Sequence, residues 1–369
     1  MMLFFVVLLL LLCFTFFELS IDDFFIKAIL FVFAIGFFFS LVGFNTYSLD
    51  LDNYKINYED YAQDYVKVTM EPAINLLMAS CNKIGLSFQS FQVVYSILIF
   101  LFLGLSLLKF TPFPVFVLLN FYFIPFFPDL TQVRMFLGFS IFLYSLRFIK
   151  SNKILFLSFL FISFLCHFSL LIFIFFPLAK KMPFFDNQLK SNLIILFIVG
   201  VISFIPLSIL EPIIIWFNPK YLLYIDSESI GTLSGTILLF LPFFLISNVV
   251  IWHYNKYYKG NTSKFSSSFN TYIPIFIDLI KYSTYIIIFQ LFIRDFSRIN
   301  QNLYLLVIIY FTIIIKAHFK EKNFKKGYGL ALSVTLFSLF LFYFEYLMVS
   351  KFEYFNIISK TIGSNSLFN

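Results

Sequence analysis

Long apolar stretches separated by short polar connectors run the length of this 369-residue chain. Runs that cross a bilayer, or nearly so, fall at 2–17, 24–44, 92–108, 113–127, 135–149, 191–210, 235–252, 272–293, 301–315 and 328–349. A helix of about 20 apolar residues spans the ~30 Å hydrocarbon core, and most of these runs approach that length. One further run, 154–179, has His167 in its middle. It reads either as one long span or as a tight hairpin of two short helices.

Charge separates the two readings. Four connectors are basic: Arg147/Lys150/Lys153, Lys180/Lys181/Lys190, Lys256/Lys259/Lys264, and the group from Lys316 through Lys326. The connectors 45–91, 211–234 and 294–300 are acidic or mixed. A single crossing by 154–179 puts the first two basic groups on opposite faces, whereas a hairpin puts all four on the cytoplasmic face. The positive-inside rule favours the hairpin. Its two arms, roughly 12–13 residues and about 18–20 Å each, fall short of the core thickness. They must be shielded by protein or line a water-filled cavity. The expected fold is all-α: a polytopic integral membrane protein, one membrane domain over 1–369, with about 12 membrane segments (10–12). Both termini and the large loop 45–91 are then extracytoplasmic.

Composition agrees. The chain is 61% hydrophobic and 12% charged, which no soluble domain of this length matches. Its +7 charge sits in short connectors, so a nucleic-acid partner is not expected. Cys13, Cys81 and Cys166 are too scattered for a disulfide framework or a metal spacing. The start, Met1-Met2-Leu3-Phe4-Phe5, has no basic region and reads as a first span, not a cleaved signal. There is no nucleotide-binding loop, zinc spacing or nucleophilic-serine motif. No metal and no cofactor are expected.

Against this background the polar groups inside the apolar runs stand out, because an ionisable residue in hydrocarbon usually marks function. Pro128-Asp129-Leu130-Thr131-Gln132-Val133-Arg134 packs an acid, an amide and a guanidinium between long apolar runs. Arg is the side chain best shaped to fork onto a phosphate or carboxylate. The hairpin topology sends Glu71, Asp129, Arg134, His167, Arg294 and Arg298 to the extracytoplasmic side, or to a hairpin apex facing it. Arg294 and Arg298 sit at a span end, where Arg also snorkels for structural reasons. In 45–91, Asp50, Asp52 and Tyr54 interleave acids with an aromatic ring, a mixture suited to sugars. Glu71-Pro72 opens an amphipathic stretch containing Asn75, with Pro suited to the first helical position. Asp278 and Lys281, three apart, are expected to neutralise each other.

The order of these elements resembles the EpsG/Wzy-type family of polysaccharide polymerases. It runs from an outer loop with Tyr and Asp to Glu71-Pro72-x-x-Asn75, then Asp129-x-x-Gln132-x-Arg134, His167-x-Ser169, and an outer Arg. The likeness is good in order and spacing from about 45 to 180, looser to Arg298, and mainly hydropathic beyond. It implies an enzyme of the bacterial cytoplasmic membrane that makes O-antigen, capsule or exopolysaccharide. Undecaprenyl-pyrophosphate-linked oligosaccharide units would be joined by glycosyl transfer on the extracytoplasmic face. Lipid pyrophosphate is the leaving group. Membrane lipid is the surrounding partner, and a chain-length regulator is a further candidate. Arg134, Arg298 and Arg294 would bind pyrophosphate. Gln132, Asp50, Tyr54 and Asn75 would bind sugar. Glu71, Asp129 and His167 are the candidate bases.

Other classes stay open on sequence alone. A metal-dependent glycosyltransferase using polyprenyl-phosphate sugars would employ Asp50 and Asp52. A flippase or transporter would spread its polar residues through the bilayer depth, while these gather on one face. An O-acyltransferase could use His167 as base but lacks a second motif for the acyl donor.

Overall fold

The computed structural model describes residues 2–60, 71–181, 185, 187–203, 212, 233–258, 271–290, 296–349 and 353–367. Every regular element among them is helical. In chain order these are α1 (Met2–Ser20), α2 (Phe24–Gly43), α3 (Leu51–Asp60), α4 (Pro72–Lys83), α5 (Phe88–Phe110), α6 (Pro114–Phe123), α7 (Phe126–Thr131), α8 (Val133–Ser145) and α9 (Lys153–Cys166). After the 3-10 segment Phe168–Phe175 come α10 (Phe176–Ala179), α11 (Gln188–Ser203), α12 (Leu233–Tyr257), α13 (Ile273–Gln290), α14 (Phe296–Lys320), α15 (Phe324–Tyr343), a π-helical stretch (Phe344–Val349) and α16 (Glu353–Gly363). Among the described residues, five segments are long and apolar enough to cross a membrane: Met2–Ser20, Phe24–Gly43, Phe88–Phe110, Arg298–Lys320 and Phe324–Tyr346. The chain divides into two compact units, 1–173 with 311–369, and 174–310.

The first unit is built around α6, which is buried along all ten of its residues. α1, α2, α5 and α15 pack around it. Phenylalanine-rich faces make this core. Tyr122 stacks on Phe4 at 5.1 Å, and Phe38 meets Phe126 edge-on at 4.8 Å. Such pairs add about 0.5–1.5 kcal/mol each beyond area burial. The opposite faces of α1 and α2 expose Phe5, Phe16, Phe25 and Phe33, as lipid-facing helices do.

Local chemistry fixes the helix ends. Asp23 caps α2 by accepting from Ile26 N–H at 2.9 Å, and Asn152 caps α9 by accepting from Ile154 and Leu155. The start of α6 has no capping side chain of its own. Glu18 of α1 supplies the need: its two carboxylate oxygens accept the N–H groups of Val115 (2.9 Å) and Phe116 (2.8 Å). Glu18 is completely buried. At the other end of the chain, the Asn365 amide donates to the Ser40 and Leu41 carbonyls, and Ser366 N–H donates to Phe44 O. The C-terminal tail thus satisfies the end of α2, from which the chain leads to α3.

Within 45–91 lie two helices. α4 starts with Pro72 at its first turn, as the sequence predicts. α3 was not foreseen. Its buried residues are Tyr54 and Tyr58, four apart on one face. Tyr58 stacks on Phe91 of α5 at 5.1 Å and donates to Leu86 O at 2.7 Å. α4 packs against α9.

The run from 154 turns back at His167. α9 rises antiparallel to α8, with Phe159 against Tyr144 and Phe148, and Ser163 donating to Gly138 O at 2.7 Å. Past His167 the chain descends the same helix in the opposite sense. Ser169 lies at Met135, Leu170 at Gly138, and Phe173 stacks on Phe142 at 3.9 Å. The hairpin alternative is therefore the geometry adopted through Phe173. A Cβ on Gly138 would sit 2.5 Å from Leu170 Cδ1 and 3.0 Å from Ser163 O, so both arms close on this one residue.

In the second unit, α13 packs against α10, α11 and α12. Gln188, Asn192 and Asn248 form an amide cluster, with Asn192 Nδ2 donating to Asn248 Oδ1 at 2.7 Å. Asp278 pairs with Lys180 at 2.5 Å. Lys281 instead faces the Phe185 ring. The expected Asp278–Lys281 pairing yields because residue 180 brings an ammonium to the carboxylate from another helix end.

Candidate active site

Four elements of the first unit deliver one polar cluster. α8 opens on Val133, directly after Gln132, whose backbone ends α7 and begins α8. This puts Arg134 in the first turn of α8. The rings of Phe136 and Phe100 meet at 5.7 Å, so α8 begins level with the middle of α5. Arg134 is consequently recessed, and the 45–91 helices reach in to meet it.

Arg134 Nε donates to the Tyr54 hydroxyl at 3.0 Å, and Nη1 donates to Glu71 Oε2. The guanidinium also lies 5.4 Å from the Tyr54 ring centroid, within cation–π range. Burial pushes the Tyr54 phenol above its ordinary pKa, and the neighbouring Arg134 charge opposes that rise. The carboxylate of Asp50 acts electrostatically on both groups.

Glu71 is the centre of the cluster. Its Oε1 lies 3.7 Å from His167 Nε2, while Oε2 takes Arg134. His167 sits at the hairpin apex in extended backbone, where it ends α9. Its Nδ1 is hydrogen-bonded to Ser169 Oγ at 2.7 Å, and the Ser169 hydroxyl reaches the Met135 sulfur at 3.7 Å. With the Ser169 hydroxyl proton on that sulfur, Oγ accepts from Nδ1–H, and Nε2 of the neutral ring faces the Glu71 carboxylate as an acceptor. Side-chain exposure falls inward: 41% for Arg134, 17% for His167 and 13% for Glu71. Two of the five guanidinium N–H donors serve Tyr54 and Glu71. The other three have no hydrogen-bond partner among the described residues, on a side chain that is partly open.

A family model described as the EpsG family matches residues 28–359, nine-tenths of the chain. The chain belongs to the EpsG family. No curated protein and no solved structure matches it. Membership, with the five candidate spans, marks this EpsG-family chain as a multi-pass membrane protein with a polymerase- or glycosyltransferase-like role in polysaccharide synthesis.

The structure brings together Tyr54, Glu71, Arg134 and His167, with Asp50 close by. Asn75 lies one turn along α4 from Glu71 and is half-buried. Gln132 is half-buried at the α7–α8 junction. Asp129 is 1% exposed on α7. Asp52 is exposed on α3, while Asp50 is half-buried and acts electrostatically on Tyr54 and Arg134. Arg298 lies on α14 in the other unit, its main-chain carbonyl accepting from Asn302 at 3.0 Å. Arg294 lies outside the described residues. No group of three or more His, Cys, Asp or Glu side chains with metal-site geometry occurs among the described residues. Sequence reasoning missed Ser169 as the partner of Nδ1, although its i+2 spacing from His167 was visible.

Proposed function

We propose that this EpsG-family protein polymerises undecaprenyl-pyrophosphate-linked oligosaccharide units into a surface polysaccharide, such as an O-antigen, capsule or exopolysaccharide. The reaction takes place on the extracytoplasmic face of the bacterial cytoplasmic membrane. The observation that carries this reading is Arg134: recessed, anchored on two sides, and with donors in reserve. That is what an anionic leaving group at a membrane surface requires.

The bond from the donor's anomeric carbon to pyrophosphate breaks, and the acceptor hydroxyl oxygen bonds to that carbon. Negative charge grows on the leaving pyrophosphate, where Arg134 stabilises it. The hydroxyl proton passes to the Glu71–His167 pair. Those two atoms are 3.7 Å apart, so a hydroxyl oxygen about 2.8 Å from each completes a triangle. Glu71 then stabilises the imidazolium that forms, as a carboxylate does for a neighbouring base. Gln132, Asp50, Tyr54 and Asn75 serve the sugars in the same reading.

The test is Arg134→Ala, expressed at wild-type level in the producing strain. Polymer disappears and lipid-linked single units persist. Normal polymer from that variant removes Arg134 from the reaction.

A further inference from the structure

α3 has ten mostly polar residues, and a helix that short is not stable by itself in water. Only Tyr54 and Tyr58 of it are buried. Tyr54 lies in its first turn, where its N–H donates to Asp50 O at 3.0 Å. The place of the hydroxyl that meets Arg134 is therefore set by residues 44–48, which lead into α3. Arg134 Nε reaches that hydroxyl at 3.0 Å, and a displacement of about 1 Å breaks such a bond.

The lead-in is irregular backbone, and its polar groups need partners. α5 supplies one: the Gln92 amide donates to Asn45 O at 3.0 Å. Ser366, 322 residues beyond Phe44, donates to Phe44 O from both its N–H (2.9 Å) and its hydroxyl (3.1 Å). The Thr46 hydroxyl donates to Ser364 O. Between these, Asn365 is completely buried, and both ends of its amide are used. Nδ2 donates to the Ser40 and Leu41 carbonyls at 3.0 and 3.3 Å, and Oδ1 accepts from Leu367 N–H at 3.0 Å. The segment is seated by α16, whose Ile358 and Ile362 are buried four apart. Ser364 N–H still closes α16 on Lys360 O at 2.9 Å, but Asn365 and Ser366 spend their side chains on α2 and the lead-in to α3.

We propose that segment 364–366 is a positioning element of the active site: by holding residues 44–46 it sets α3, and through α3 it sets Tyr54 against Arg134. The proposal rests on the polymerase reading for the activity that this hold serves.

The test uses the purified full-length protein and two measurements. Amide hydrogen exchange over 51–60, read by mass spectrometry, reports the order of α3 and needs no substrate. Elongation of lipid-linked repeat units, counted per folded molecule, reports the site. Asn365→Ala should raise exchange over 51–60 at least tenfold and leave α9 unchanged. It should lower kcat about five- to tenfold, the most that losing the Tyr54 contact costs. In the Tyr54→Phe background the same substitution should cost less than about twofold more. Thr46→Val, at an exposed residue, should give the same pattern at about threefold. Unchanged exchange over 51–60 in both variants overturns the proposal. Raised exchange with full kcat makes the segment a structural clasp and overturns it too, as do losses that multiply fully with Tyr54→Phe. If Asn365→Ala does not fold, Thr46→Val decides alone by the same criteria. Normal polymer from Arg134→Ala defeats the polymerase reading instead, and the exchange result still decides for or against the hold on α3.

Discussion

Replacing Arg134 by Lys keeps the charge and removes the fork. In the structure the guanidinium spans two partners at once, Tyr54 from Nε and Glu71 from Nη1. A lysine ammonium is a point charge on a flexible stem and holds one such partner. Staying on Glu71, it forfeits Tyr54 and any second prong onto a phosphate. Hydrogen bonds to charged groups contribute about 1.5–3 kcal/mol each. With 41% of the Arg134 side chain exposed, the low end of that range applies. Two lost contacts then amount to about 3 kcal/mol, or roughly a hundredfold in kcat/KM. The assay is chain elongation in membrane vesicles supplied with lipid-linked repeat units, read as a ladder on a gel and normalised to protein level. A double-mutant cycle with Tyr54→Phe sharpens it. Tyr54→Phe alone costs about tenfold, but in the Arg134→Lys background it costs little more, because that contact is already gone. Arg134→Lys activity within threefold of wild type, or fully multiplicative losses in the double variant, refutes the bridging role.

Further outcomes follow from the same geometry. His167→Gln keeps a hydrogen bond to Ser169 but removes proton transfer, so turnover falls about 10²–10⁴-fold while the lipid-linked donor still binds; full turnover makes His167 a packing residue. Gly138→Val forces a side chain against Leu170 and the Ser163 carbonyl, costs about 1–3 kcal/mol in thermal unfolding, and lowers activity by displacing the hairpin apex; an unchanged melting temperature contradicts the close packing. Cysteines placed at 150 and 181 should both resist a membrane-impermeant reagent applied outside the cell; labelling at 181 alone means the segment after Lys153 crosses only once.

The hydropathy of the chain was enough to locate the long helices, because bilayer length and apolar composition are properties of contiguous sequence. The reversal at His167 was legible from an indirect quantity, the placement of Lys and Arg on either side. Arg134, Glu71 and His167 were legible as types of residue that hydrocarbon does not tolerate without cause. Their mutual contacts were not, since nothing in Glu71-Pro72 states that α4 lies against α9. α3 escaped notice because only Tyr54 and Tyr58 anchor it among ten mostly polar residues. Asp129 read as a candidate base, yet the turn of α7 buries it. The carboxylate of Glu18 is the plainest case of information absent from local sequence, for its partners are 97 and 98 residues away.

That separation has a meaning in time. α1 enters the membrane early in synthesis, carrying an acid that ends up sealed from water. The N–H groups it finally holds are made only when residues 115 and 116 have been added. At roughly 5–20 residues per second, α1 waits on the order of 5–20 s for them. Its final seating therefore depends on the arrival of α6 as well as on its own insertion. α1 is thus made well before it can reach its finished position.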